Sequence, residues 1–539
     1  MLPTEQSTVT VVAAVVGVFA GLATGLLANF IVIFQLLFFR TGAVLRALFL
    51  ADPTFRLALK GELGHAPWHL EYLALGGVVI GLAWLLRPLA GRLGFRQPSI
   101  LEDRRLRFAV VLLGFGLLLY YPLLALASLT RSLVPAAGAS EGLMALLAES
   151  GRWRWVLVPT LGGLAVGLLV TYVAPVAGGH GVVEVIQSVR EDQRVPGRVA
   201  LWKPLLAGLT IATGGSCGRE GPVVQMGAAV ASMLGRRLGL SRQSRAILIA
   251  SGAAAGIAAS FNAPIAATTF ALEIVLGDFG VRAFSPIVLA AVTATVTARS
   301  LIGPGGEIAR VAYAMVSPWE IAAYGVLGIC CGFGSVAYAR TLHYAEEFFA
   351  GHRFGGKCLA RLPRAARPML GGAIVGVIAL GSPQVLGNGY ETMNAALFAQ
   401  LSLGTLLLIF PLKLLASGST LGSGAPGGSF FPAVFLGAML GGAFGTVLHV
   451  IAPASTGGAG AYAAVGMGAL VAGATLAPLT GILMIFELTG NYQVVPPLMV
   501  ACGLAAVTMQ WLVGGSIYSL KIARSAPPPG KLLGEPPTA

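Results

Sequence analysis

The feature that most constrains this chain is a succession of apolar runs, many too short to cross a bilayer in one pass. Apolar runs occupy residues 9–39, 70–90, 108–130 and 155–176. Beyond them, the run 205–234 is cut by Gly214, Gly215 and Pro222, and the run 246–276 by Pro264. Further runs follow at 284–302, 317–339, 368–381, 395–416, 430–451, 461–486 and 494–514. A straight helix needs about 20 apolar residues to span the hydrocarbon core, so half-length, Gly/Pro-cut runs imply broken helices that meet near mid-membrane. Charged residues make up only 10% of the chain, against about 25% in soluble domains, which points to an all-α polytopic membrane protein. Its 74 glycines exceed what helix interiors favour and suit close helix packing and exposed helix N-termini.

The net charge of +14 sits in loops rather than among aromatics, so it reads as an orientation signal and not as a nucleic-acid surface. The basic loop Arg87–Arg107 belongs on the cytoplasmic side, and with it both termini, in a bacterial inner membrane. The run at 9–39 lacks a basic leader and is too long for a cleavable signal core, so it is expected to be the first membrane helix. The tail after Tyr518 is short and Pro-rich, too small for a soluble C-terminal domain. Cys217, Cys330, Cys331, Cys358 and Cys502 lie in or beside apolar runs without metal-ligand spacing, and they read as small buried hydrophobes with no metal site. The six histidines form no H-E-x-x-H, and no G-x-S-x-G elbow precedes a suitable helix, so an intramembrane enzyme is not expected.

Three stretches join a Gly-rich loop to a short apolar segment: 178–182, 214–222 and 427–432. Such a loop leaves backbone N–H groups unpaired at the helix start, where the dipole adds partial positive charge. Several converging N-termini make an anion site without basic side chains. Within one of them stands Glu220, an ionisable group expected at membrane depth and therefore functional by default. Its carboxylate can fill the anion site when ionised and leave when protonated, which makes a gate. The bland alternative is a structural ion pair with Arg219. The layout of these loops suggests an internal duplication, with "SGSTLGSGAPGGSFFP" (417–432) echoing "GGHGVVEV" (178–185) and "GGSCGREGP" (214–222).

Together, "GREGP" (218–222), "FNAPIAATTFALE" (261–273), "GSFFP" (428–432), "PLTGILMIFELTGNYQVVPPLM" (478–499) and "IYSLKIARS" (517–525) resemble the CLC family of chloride channels and chloride/proton antiporters, in its bacterial form without C-terminal CBS domains. The resemblance runs in order over about residues 155–525. It implies an inverted repeat of tilted and broken helices, a homodimer with one pore per subunit, and bound chloride as the only ligand, with no cofactor. It implies that Glu220 is the gating glutamate. It also assigns an anion-facing set of His180, Gly181, Val182, Gly218, Arg219, Ser429, Phe430, Phe431 and Tyr518. The expected division is N-terminal helices over 1–150, a first repeat over 151–345, a second over 346–526, and a tail over 527–539.

Three departures bear on function. His180 stands where the family has a serine, so the ring either donates to the anion or points away and leaves backbone amides alone. Ile274 stands where antiporters carry the glutamate that receives protons, which favours a channel-like or weakly proton-coupled flux unless water replaces the relay. Two runs, 70–90 and 108–130, exceed the family's usual number before the first Gly-rich loop and read either as an inserted hairpin over about 66–135 or as interfacial segments. The expected function is glutamate-gated chloride transport across the membrane. The alternatives are chloride/proton antiport, or transport of fluoride or nitrate.

Overall fold

The computed structural model describes residues 3–39, 143–302, 308, 315–351, 359 and 361–525. The runs 70–90 and 108–130, and the expected hairpin, lie outside them. Among the described residues, nine helices are long and apolar enough to cross a membrane. The rest of the apolar helices are shorter, as the Gly/Pro breaks require.

The helices fall into two series with the same order. Helix α1 (Pro3–Phe39) and the short α2 (Leu143–Glu149) precede α3 (Arg152–Leu168), α4 (Val182–Glu191), α5 (Val199–Ala212) and α6 (Glu220–Arg237). Then come α7 (Arg242–Phe261), α8 (Pro264–Phe270), which continues as a wider turn over Ala271–Leu276, and α9 (Val281–Ile302). The second series is α10 (Glu320–Ala350), α11 (Arg367–Gly381), α12 (Tyr390–Leu397), α13 (Leu403–Gly422) and α14 (Phe430–Ile451). It continues with α15 (Ala459–Thr475), α16 (Pro478–Thr489) and α17 (Val495–Val513), and α18 (Ile517–Ser525) closes the chain. Helix α1 packs along α9 and α7 as α10 packs along α17 and α15, so each series is built around an equivalent long helix. Residue 345 falls inside α10.

The repeat also corrects one sequence alignment. The counterpart of the loop before α4 is "LGNG" (386–389) before α12, not the stretch at 417–432. Gly179 and Gly181 have φ of 85° and 92°, and Gly387 and Gly389 have φ of 60° and 89°. The run 461–486 is not one helix either. It breaks at Leu476, which has φ 55°, two residues before Pro478, as the first series breaks at Asn262, φ 58°, two residues before Pro264. Proline disfavours helical geometry in the residue before it, so both breaks are written into the sequence.

Bare backbone contact holds the centre. A Cβ on Gly252 would sit 2.3 Å from the Gly227 carbonyl oxygen, and one on Gly466 would sit 2.4 Å from that of Gly437. The pairs α6–α7 and α14–α15 therefore touch main chain to main chain, the packing that small residues allow in membranes. It buries α6 and α14 deep in the protein, with their N-termini facing each other.

Candidate functional site

Two glycines bring the helix starts together. Gly218 and Gly428 pair as an antiparallel bridge, the Gly218 amide donating to the Gly428 carbonyl at 2.9 Å and the Gly428 amide to the Gly218 carbonyl at 2.7 Å. One residue after the bridging glycine in each loop stands the N-cap, Arg219 for α6 and Ser429 for α14. The unpaired N–H groups of both helices thus open on one small volume.

Glu220 fills that volume. It is buried, and its Oε1 accepts from the Phe431 amide at 2.7 Å, across the gap at the start of the opposite helix. A buried carboxylate is costly unless hydrogen-bonded, and helix N-termini supply donors and favourable dipole charge. The two bridging glycines leave the space that the carboxylate fills. A Cβ on Gly218 would lie 2.0 Å from Glu220 Oε2, and one on Gly428 would lie 2.4 Å from Oε1. Arg219 turns elsewhere: its Nη2 donates to the Ser260 carbonyl at 3.0 Å, and its guanidinium lies 5.7 Å from the Tyr390 ring centre.

The third Gly-rich loop docks on this pair, since a Cβ on Gly221 would lie 2.3 Å from the His180 carbonyl oxygen. Its own helix start is already satisfied. The Gly181 amide donates to Glu184 Oε2 at 2.8 Å, so Gly181 gives its N–H to a capping carboxylate one turn along α4. Val182 and Val183 are buried in the main apolar cluster. The His180 ring is buried, with Nε2 3.1 Å from Glu346 Oε1. The Tyr518 hydroxyl is buried close to Ser429. It makes no hydrogen bond meeting ordinary geometry among the described residues. Ile274 is half-buried against the same apolar cluster and offers nothing that titrates.

Residues not singled out from sequence complete the frame. Tyr338 on α10 donates to the Ser429 carbonyl at 2.7 Å. Lys203, fully buried, donates to the carbonyls of Gly178 and Gly179 at 2.7 and 2.6 Å. Lys413, also fully buried, donates to the Val385 and Gly387 carbonyls at 3.1 and 3.0 Å. A lysine inside an apolar run is the sequence signal that marks both. Glu273 and Glu487 exchange caps. Glu273 accepts from the amides of Leu479 and Thr480 at 3.2 and 2.9 Å, and Glu487 from those of Ile265 and Ala266 at 2.9 and 2.7 Å. One serine also bears on the exclusion of an enzyme: Gly214–Gly218 does spell G-x-S-x-G before α6. Ser216 Oγ lies 3.2 Å from Ser417 Oγ, fully buried, and no strand leads into the turn, so the arrangement is not a nucleophile elbow.

Residues 162–510 match the family described as voltage gated chloride channel. A protein of Ralstonia nicotianae, named as a ClcB-like chloride channel protein, is 39% identical over 72% of this chain and 90% of its own length. An H(+)/Cl(-) exchange transporter, ClcA, of Yersinia pseudotuberculosis is 33% identical over 71% of this chain and 80% of its own. The crystal structure of a slow cyanobacterial Cl-/H+ antiporter superposes with a TM-score of 0.66 at 23% identity, covering 96% of this chain and 98% of that one.

Proposed function

The chain belongs to the CLC family of voltage-gated chloride channels, and from that premise we propose that it moves chloride across the membrane along a path closed by Glu220. One observation carries the reading: the Glu220 carboxylate sits on the Phe431 amide where two helix N-termini meet. An anion of similar charge binds the same donors once the carboxylate leaves. Glu220 is a tethered competitor of the permeating ion, and protonation releases it.

In this reading Ser429, Phe430 and Phe431 offer amides from α14, Gly218 and Arg219 bring the bridge and N-cap of α6, and the Tyr518 hydroxyl supplies a donor. Gly181, Val182 and His180 shape the adjoining wall rather than donating from an open helix start. Flux is channel-like or weakly coupled to protons, because Ile274 cannot carry one. A relative named as an H(+)/Cl(-) exchange transporter supports full exchange as the second reading. The protein works as a homodimer in a bacterial inner membrane with both termini cytoplasmic. The reciprocally capped α8 and α16 present Ile265 and Leu479, each about half exposed, to a partner. The boundary between the repeats falls between α9 and α10, because α10 packs as α1 does.

The test is flux from proteoliposomes followed with chloride and pH electrodes together. Chloride running down its gradient without stoichiometric proton movement is expected. Uphill proton transport in fixed ratio would instead establish exchange, and no chloride flux at all would refute the assignment.

A further inference from the structure

Arginines from separate segments meet at one end of the helices. Arg242, at the start of α7, donates from Nη2 to the Arg190 carbonyl at 3.0 Å, and Arg236, near the end of α6, donates to the Asp192 carbonyl at 2.9 Å. These bonds seat the turn after α4 on the turn between α6 and α7. The chain then runs through Arg194 to Arg198, the N-cap of α5. Arg190, Arg194, Arg198, Arg236, Arg237 and Arg242 are all exposed. The three carboxylates at this end are engaged elsewhere. Asp192 pairs with Arg245, Glu5 accepts from the Ser241 amide and the Ser244 hydroxyl at 2.8 and 2.7 Å, and Glu191 accepts from Gln193. Among the described residues, none of the three forms an ion pair with the six exposed guanidinium groups.

The patch borders a lipid-facing surface. Arg198 has helical φ and ψ, so Leu201, three residues on, lies on the same side of α5, and it is 60% exposed. Trp202 packs against the small cluster of Ala174, Ala177 and Leu206, and Tyr172, just before that cluster in the chain, is 72% exposed. Tryptophan and tyrosine sit at the headgroup level of a bilayer, where apolar chains and phosphates meet. We propose that this patch binds the headgroup of an anionic phospholipid, its phosphate on Arg194 and Arg198 and an acyl chain along Leu201. The planar guanidinium fork suits phosphate oxygens, and clusters of four to eight basic residues where helices leave the membrane draw anionic lipid. The other exposed arginines add to the attraction, and no carboxylate cancels it. The site is independent of the Glu220 gate.

The experiment is native mass spectrometry of the full chain, purified in a neutral detergent and titrated with phosphatidylglycerol, phosphatidylcholine or free glycerol phosphate. The parent is expected to bind phosphatidylglycerol most tightly, and added salt should weaken that binding. R194Q/R198Q should bind it about 25-fold more weakly, at about 1 kcal/mol for each arginine removed. R361Q/R364Q, an equal loss of exposed charge outside the patch, should stay within threefold of the parent. Equal affinity of the parent for phosphatidylglycerol and phosphatidylcholine, or an affinity indifferent to salt, would overturn the proposal without recourse to any variant. It would fall equally if R194Q/R198Q stayed within threefold of the parent, or if R361Q/R364Q lost as much as R194Q/R198Q. Glycerol phosphate binding as tightly as the lipid would replace the lipid by a soluble phosphate compound and overturn the assignment.

Discussion

Replacing Glu220 by glutamine, aspartate and alanine tests the gate through one hydrogen bond. In the parent, Oε1 accepts from the Phe431 amide at 2.7 Å, in a buried site at two helix N-termini. A hydrogen bond to a charged acceptor contributes about 1.5–3 kcal/mol, and a neutral one about 0.5–1.5. Glu220→Gln keeps the shape but loses the charge, a difference of about 1–2 kcal/mol, or roughly 5–30-fold in occupancy of the closed position. Glu220→Asp shortens the side chain by one bond of about 1.5 Å, which breaks the contact while keeping a titratable group. Glu220→Ala removes both. Chloride efflux from proteoliposomes over pH 4.5 to 7.5 reads the result. In the parent, flux should rise as pH falls, since on the proposed reading protonation neutralises the carboxylate that closes the path. The glutamine and alanine variants should be fast and flat across that range, and aspartate should be fast yet still pH-dependent. A glutamine variant that keeps the parent's pH profile would refute the argument, because the pH dependence would then come from a group other than the one on the Phe431 amide.

Further predictions follow from the frame. Glu273→Gln and Glu487→Gln each weaken a reciprocal helix cap, and each should cost about 1–2 kcal/mol, seen as a lower Tm in detergent with chloride flux retained. Lys413→Met orphans the Val385 and Gly387 carbonyls and should cost about 2–4 kcal/mol in the same assay. Gly252→Ala drives a methyl to 2.3 Å from the Gly227 carbonyl oxygen and should cost about 1–3 kcal/mol, whereas Gly404→Ala, exposed with open space around it, should be neutral or slightly stabilising.

What could be read from sequence was whatever leaves a mark at short range. Broken runs announced the half-helices, Pro222 and Pro432 marked helix starts, and Glu220 announced itself as a charge in an apolar run. Partners across the fold left no such mark. Nothing in "GREGP" says that the Glu220 oxygen rests on an amide 211 positions away, and nothing near His180 names Glu346. The Gly181 amide, expected to face an anion, is instead held by Glu184, which stands three residues on at the standard reach for a capping carboxylate. That contact is legible locally. The match of 178–185 with 417–432 fails for a different reason. Glycine clusters recur in both places, and only φ and helix order separate a loop before a short helix from one before a long helix.

The two-fold repeat separates scaffold from function. Features present in both halves are structural: Gly218 with Gly428, Pro222 with Pro432, Lys203 with Lys413, Glu273 with Glu487, and the Gly227–Gly252 contact with Gly437–Gly466. Each does what its counterpart does, the lysines and glycine contacts within a half and the Gly218–Gly428 bridge and the two glutamate caps across to the other half. Ionisable groups present in one half only are different. His180, Glu184, Arg219 and Glu220 correspond to Asn388, Thr392, Ser429 and Phe430 at the equivalent positions. A symmetric frame with charge on one side leaves the second helix start open for a mobile anion or for the Glu220 carboxylate. Substitutions at paired positions should therefore come in twos, with Lys203→Met and Lys413→Met, or Glu273→Gln and Glu487→Gln, agreeing in stability loss within about 1 kcal/mol. Glu220→Gln should change flux while lowering Tm little, since the buried charge it removes is costly in itself. If Glu220→Gln destabilised the protein more than either lysine substitution, the carboxylate would be part of the frame and the division would fail.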